Sequence, residues 1–217
     1  VPNFNIDGRE RVGGCRHILN ISDEMHRHLS QGEWKTGEKL EWPTSKLTTP
    51  LPPEKMAFLG AYFNDNGVNL VYDNGLSADP QPETQALLQF LRREMPDFVL
   101  LSHTNNGSLV AEADAFVPEA YRIRQAQIGA LAGTRCRYEG MKKSNIPQKP
   151  QQYAGQVFYQ SDLIYHTCGA LPLLVEFPCG YHNCPDNFDE ILDIGMYVLE
   201  EIVCFGSAYG FRPGQRK

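Results

Sequence analysis

Two short, continuous apolar runs constrain this chain more than any other feature. Phe98-Val99-Leu100-Leu101 and Leu171-Pro172-Leu173-Leu174-Val175 show no alternation of apolar with polar residues. A strand with one wet face alternates, so such runs read as strands buried on both faces, the habit of parallel sheets covered by helices. Helix signals surround them. Asp79 is placed as an N-cap and Pro80 as the first residue of a helix to about Glu94, with Ala86, Leu87, Phe90 and Leu91 as its apolar stripe. Pro118 opens a helix to about Ala132, with Gly133 as its C′ residue. Ser161-Asp162 start a short helix, and Asp186 to Phe205 form the last, stopped by Gly206. The order predicts an α/β fold: a mixed, largely parallel sheet with helices on both faces.

The remaining segments are less regular. Residues 1–14 read as a strand end and a turn, and Ser22 as the N-cap of a helix over residues 22–30. Residues 31–56 carry Pro43, Pro50, Pro52 and Pro53 and read as a long loop. Gly67 to Tyr72 reads as a strand closed by Asp73-Asn74-Gly75, and residues 139–156 as loop. A length of 217 residues suits a single domain over 1–217. The opening Val1-Pro2-Asn3 reads like a strand entering a turn, so a segment upstream of Val1, or a partner chain, is expected to complete the sheet.

A net charge of -6 with no basic face argues against nucleic acid as a partner. No apolar run approaches the roughly 20 residues that a membrane-spanning helix needs, and no membrane partner is expected. The six cysteines are too few for a disulfide scaffold in a chain this long. Cys168 and Cys204 sit in apolar stretches and read as buried thiols, whereas Cys179 and Cys184 are close enough in sequence to pair.

Two residues stand out chemically. His103 follows a buried strand, and ligands gather at the carboxyl ends of strands in open α/β sheets. It reads either as a metal or catalytic group or as an ordinary strand-end histidine. Glu176 interrupts the second apolar run. A carboxylate buried there has to be ion-paired, bound to a metal or protonated; the alternatives are an edge position facing water or a structural ion pair with an arginine. His26 and His28, two apart, do not share a helix face and read as solvated. Cys179-Gly180-Tyr181-His182-Asn183-Cys184 has no second Cys/His pair to make four zinc ligands.

Four segments, in order, resemble the zinc carboxypeptidase family, the carboxypeptidase A and B type of metallopeptidases. Asn5-Ile6-Asp7-Gly8-Arg9-Glu10 is similar to the family's Asn-Pro-Asp-Gly turn, and Asn66-Gly67-Val68-Asn69-Leu70 to the strand leading to its Asn-Arg pair. Pro96 to His103 is similar to the strand ending in its later zinc-ligating histidine, and Leu173 to Phe177 to the strand bearing its catalytic glutamate. The resemblance covers nearly the whole chain. It implies the zinc carboxypeptidase (phosphorylase/hydrolase-like) fold, one zinc ion, His103 as a metal ligand and Glu176 as general base in hydrolysis of a peptide or amide bond. Tyr153, with Tyr159 and Tyr165 as rivals, would be the mobile tyrosine that precedes the glutamate.

The departures from the family are equally specific. No His-x-x-Glu motif occurs in the 217 residues, so the other zinc ligands are expected from a segment upstream of Val1. The Asn-Arg pair that clamps a substrate carboxylate falls on Val71-Tyr72, and a tyrosine cannot supply a bidentate guanidinium. Tyr72, Asn105, Arg122 and Arg124 are therefore the expected substrate-binding residues, for a peptide or an amino-acid amide. The alternative is a non-catalytic relative whose cleft binds a ligand or a protein partner.

Overall fold

The computed structural model describes residues 22–41, 50–73, 79–105, 110–112, 115–141, 158–178 and 188–214. The chain divides into two compact units, Val1–Phe90 and Leu91–Lys217.

In the first unit Ser22 caps helix α1 (Asp23–Gln31) as its position predicts, its Oγ accepting from the Met25 amide at 3.1 Å. Gly32 ends the helix at φ 103°, where a Cβ would sit 2.6 Å from the Phe58 carbonyl oxygen. Only glycine fits that close approach. The chain then enters β1 (Gly32–Trp34), which pairs antiparallel with β2 (Met56–Leu59), the latter entered through a 3-10 turn at Pro53–Lys55. The loop expected over residues 31–56 thus contains β1 and ends at the first residue of β2. Both strands are too short to show a period in sequence, and they are held by burial of Leu40, Leu51, Met56 and Phe63 in one cluster.

The strand expected over Gly67–Tyr72 is instead a run of turns. Asn64 Oδ1 accepts from the amides of Asn66 (3.1 Å) and Val68 (2.9 Å), and Gly67 adopts φ 71° against the Leu51 carbonyl. Asparagine side chains that bond nearby amides compete with a sheet ladder, and here they win. Helix α2 (Pro82–Glu94) begins two residues later than Pro80 would have it. Asp73 Oδ2 holds the Gln81 amide at 2.8 Å, and Pro82 takes the first helical position. Its buried side carries Thr84, Leu88 and Leu91, while Ala86 and Phe90 are exposed, so the buried stripe is rotated from the expected one.

In the second unit the two apolar runs are neighbouring strands. β3 (Phe98–Asn105) and β5 (Leu171–Pro178) are parallel and in continuous register from Phe98 opposite Leu171 to Asn105 opposite Pro178. A strand absent from the sequence reading, β4 (Val110–Glu112), lies antiparallel on the other side of β5. Between β4 and β5 the chain forms α3 (Glu119–Tyr138) and α4 (Gln160–Cys168), and it ends in α5 (Phe188–Tyr209). Leu171, Leu173 and Val175 of β5 pack with Ile128, Ala132 and Cys136 of α3 and Ile194, Val198, Ile202 and Phe205 of α5. Burial of each larger side chain in this cluster stabilises the unit by about 1.5–3 kcal/mol.

Both helices outrun their expected ends. Gly133 lies buried inside α3, which continues to Tyr138 because Ile128, Ala132 and Cys136 keep one side in the core. That burial outweighs the ~1 kcal/mol cost of a mid-helix glycine. Gly206 does not stop α5, which ends at Gly210 (φ 67°). It gives clearance instead: a Cβ on Gly206 would overlap the ring of Phe211, which stacks on Phe98 at 4.6 Å. The expected start of α5 at Asp186 lies outside the described residues, as does most of the loop over 139–156.

The start of α4 is held by Asp162, fully buried, whose two oxygens accept from the amides of Phe116 (2.9 Å) and Tyr159 (3.0 Å). Burial raises its carboxyl above the ordinary 3.8, against the opposing pull of those two amides and of His166. The native state thus binds this proton more tightly than the unfolded chain does. The stabilising contribution is full below the unfolded value and is lost as pH rises through the raised native one. Denaturant midpoints of the native chain and Asp162→Asn should therefore diverge, the native chain losing ground as pH rises through the carboxylate range; a constant difference would show that the group is not shifted.

Candidate active site

The parallel register makes His103 and Glu176 direct cross-strand partners. Side chains at paired positions leave the same face of the sheet, from strands roughly 4.8 Å apart. His103 Nδ1 and Glu176 Oε2 meet at 2.8 Å. Both residues stand two positions from the ends of their strands, at the carboxyl edge of the parallel pair. The alternation of β5 sends Leu171, Leu173 and Val175 into the core, so Glu176 points to the opposite face. The glutamate side chain is 16% exposed and the histidine side chain 37%, so the pair is set into the surface rather than sealed.

This geometry answers the question posed by a carboxylate in an apolar strand. Glu176 is paired, and its partner is an imidazole rather than an arginine. When His103 is neutral, Nδ1 carries the proton and donates to the carboxylate; when the ring is protonated, the contact becomes an ion pair. His103 is also not beyond its strand, as the sequence suggests, but within it. The ladder runs on through Thr104 and Asn105 because β5 supplies partners as far as Pro178.

Asn105 closes β3 opposite Pro178. Arg122 is exposed on α3. Arg124 Nη1 donates to the Gly210 carbonyl at 2.7 Å, and its guanidinium lies 5.7 Å from the centre of the Phe205 ring, so it holds the end of α5. Tyr72 is in the turns of the first unit. Tyr159 precedes α4, and Tyr165 lies within it, 4.7 Å from the ring of Tyr121. Tyr153, Cys179, Cys184 and the Asn5–Glu10 motif lie outside the described residues. His28, read as solvated, is mostly buried, pairs with Glu33 at 3.2 Å and meets the Phe58 ring edge-on. β4, which the sequence reading missed, sets Val110 opposite Glu176; three residues are too few for a period.

Among the described residues no group of three or more His, Cys, Asp or Glu side chains could hold a metal ion. A catalytic zinc takes three protein ligands. His103 and Glu176 are two, and they are bonded to each other. The described donors therefore do not fit a zinc ion by themselves. Of the described cysteines, Cys136 and Cys168 are buried, burial pushing the Cys136 thiol up to about 11, whereas Cys204, expected to be buried, is exposed on α5.

No protein-family signature matches the chain, and no curated protein sequence does. Among solved structures it is similar to a metallo-carboxypeptidase from Burkholderia cenocepacia, with 18% sequence identity and a TM-score of 0.49 over 68% of this chain. The chain spans 41% of the length of that protein.

The pair predicts measurable coupling. His103→Ala leaves a largely buried carboxylate short of a partner and should cost about 1–3 kcal/mol. A double-mutant cycle of His103→Ala with Glu176→Gln should give a coupling energy of about 0.5–3 kcal/mol in denaturant titrations; strict additivity would mean that the contact contributes nothing in solution.

Proposed function

We propose that the chain is part of a carboxypeptidase-like hydrolase that cleaves a peptide or amide bond, with Glu176 as the carboxylate that takes and returns a proton. The observation that supports this reading is the 2.8 Å contact between His103 Nδ1 and Glu176 Oε2. Amide hydrolysis removes a proton from water and delivers one to the leaving amine. A half-buried carboxylate oriented by an imidazole is suited to both steps. Its position at the carboxyl edge of two parallel strands is where open α/β sheets gather their ligands.

The finer reading is a zinc-dependent, metallocarboxypeptidase-like enzyme acting on a peptide or an amino-acid amide. It rests on the four-segment resemblance in the sequence. His103 would be this chain's contribution to the metal, and the remaining ligands would come from a segment upstream of Val1 or from a partner chain. Tyr153 as a catalytic tyrosine, and Tyr72, Asn105, Arg122 and Arg124 around the substrate, belong to the same reading. A second reading, a non-catalytic relative whose cleft binds a ligand or a protein partner, is favoured by one observation: among the described residues no three His, Cys, Asp or Glu side chains come together to hold a metal ion.

Glu176→Gln keeps the shape of the side chain and removes its basicity. It should lower kcat/KM by about 10²–10⁴-fold on a panel of peptides and amide conjugates; turnover unchanged in this variant would overturn the proton-transfer role. Zinc content by mass spectrometry, with His103→Ala as control, separates the two readings. About one ion per chain, lost in the variant, favours the hydrolase, and no zinc in either protein favours the binding cleft.

A further inference from the structure

Helix α5 is apolar on two opposite sides. Ile194, Val198, Ile202 and Phe205 face the core. On the outer side Leu192, Met196, Leu199 and Val203 are 66%, 55%, 45% and 64% exposed. Their spacing of four, three and four residues puts all of them in one straight row, the seam along which a second helix packs. An apolar stripe on a helix normally faces a packing partner, and the row presents four evenly placed anchors about 16 Å long.

The two borders of the row differ. Asp189, Asp193 and Glu200, spaced four and seven apart, line one border and are all exposed. On that side Arg135 stacks on Tyr197 at 5.2 Å and bonds Glu139 at 3.2 Å, so it is engaged within the fold. On the other border a Cβ built on Gly195 would meet nothing within 4 Å, so an approaching backbone has room there. A second copy packed antiparallel on this row would bring the two acidic borders together, and facing like charges oppose such a pairing. A complementary surface is apolar along its middle and basic along one edge.

We infer that the outer face of α5 docks an amphipathic helix whose apolar seam is bordered by Lys or Arg. Leu192, Met196, Leu199 and Val203 receive the seam, with Met196 adapting to its contour, and Asp189, Asp193 and Glu200 select the basic edge. The mode is helix-in-groove recognition, with affinity from the buried row and selectivity from the charged border.

The test uses the whole chain and a fluorescein-labelled helical peptide of roughly 18 residues, about five turns, with a leucine seam and lysines along one edge. A second peptide replaces those lysines with glutamates. The lysine peptide should bind at least about tenfold more tightly, and more weakly as salt rises. Leu199→Glu should abolish binding. Because these positions are exposed, that variant should melt as the native chain does; if it does not, Asp193→Lys with Glu200→Lys serves in its place and should reverse the preference between the peptides. Equal binding of both peptides, binding of neither, or a concentration-dependent dimer that Leu199→Glu dissolves would each overturn the proposal, the last by giving the face to a second copy.

Discussion

The parallel ladder between β3 and β5 is the constraint on which the second unit depends. Eight consecutive residue pairs run in register from Phe98 and Leu171 to Asn105 and Pro178. A slip of one residue would turn Leu171, Leu173 and Val175 out of the core and Glu176 into it. The same register that seats those side chains against α3 and α5 also sets His103 beside Glu176. Core and candidate site are two faces of one strand alignment.

That alignment gives the site its electrostatic character. A carboxylate on a strand whose other side is buried meets little water, so it needs a partner held at short range. The neighbouring strand supplies an imidazole at the paired position, and backbone hydrogen bonds rather than flexible loops hold both groups. Rigid placement of a proton acceptor and a titratable ring is the physical basis for reading the pair as chemistry rather than as packing. The zinc reading asks for more: three donors converging on one point, and among the described residues no group of three or more His, Cys, Asp or Glu side chains does so.

The helices show a different balance of forces. α3 runs through Gly133 because Ala132 and Cys136 commit both flanks of the glycine to the core, whereas α5 passes Gly206 with Ile202 and Phe205 buried on its N-terminal side. α5 also carries a second apolar row, bordered by acids, that burial within its own unit does not use. Its sequence therefore answers to two surfaces, one met inside the fold.

The sequence by itself determined the two strands and the anomaly in one of them. Continuous apolar runs and a carboxylate among them are local facts, legible one residue after another. Ser22 as a cap was legible for the same reason, since its hydroxyl bonds an amide three residues away. Tertiary structure decided what depends on distant neighbours. The partner of Glu176 lies 73 residues earlier in the chain and is fixed by strand register. Gly206 reads as a stop signal until the ring of Phe211 arrives beside it. The turns over Asn64–Tyr72 replaced a strand because Asn64 and the Leu51 backbone captured the amides and carbonyls that a ladder would have used. Periodicity records which residues are apolar, whereas the pairing of polar groups is settled only when distant segments meet.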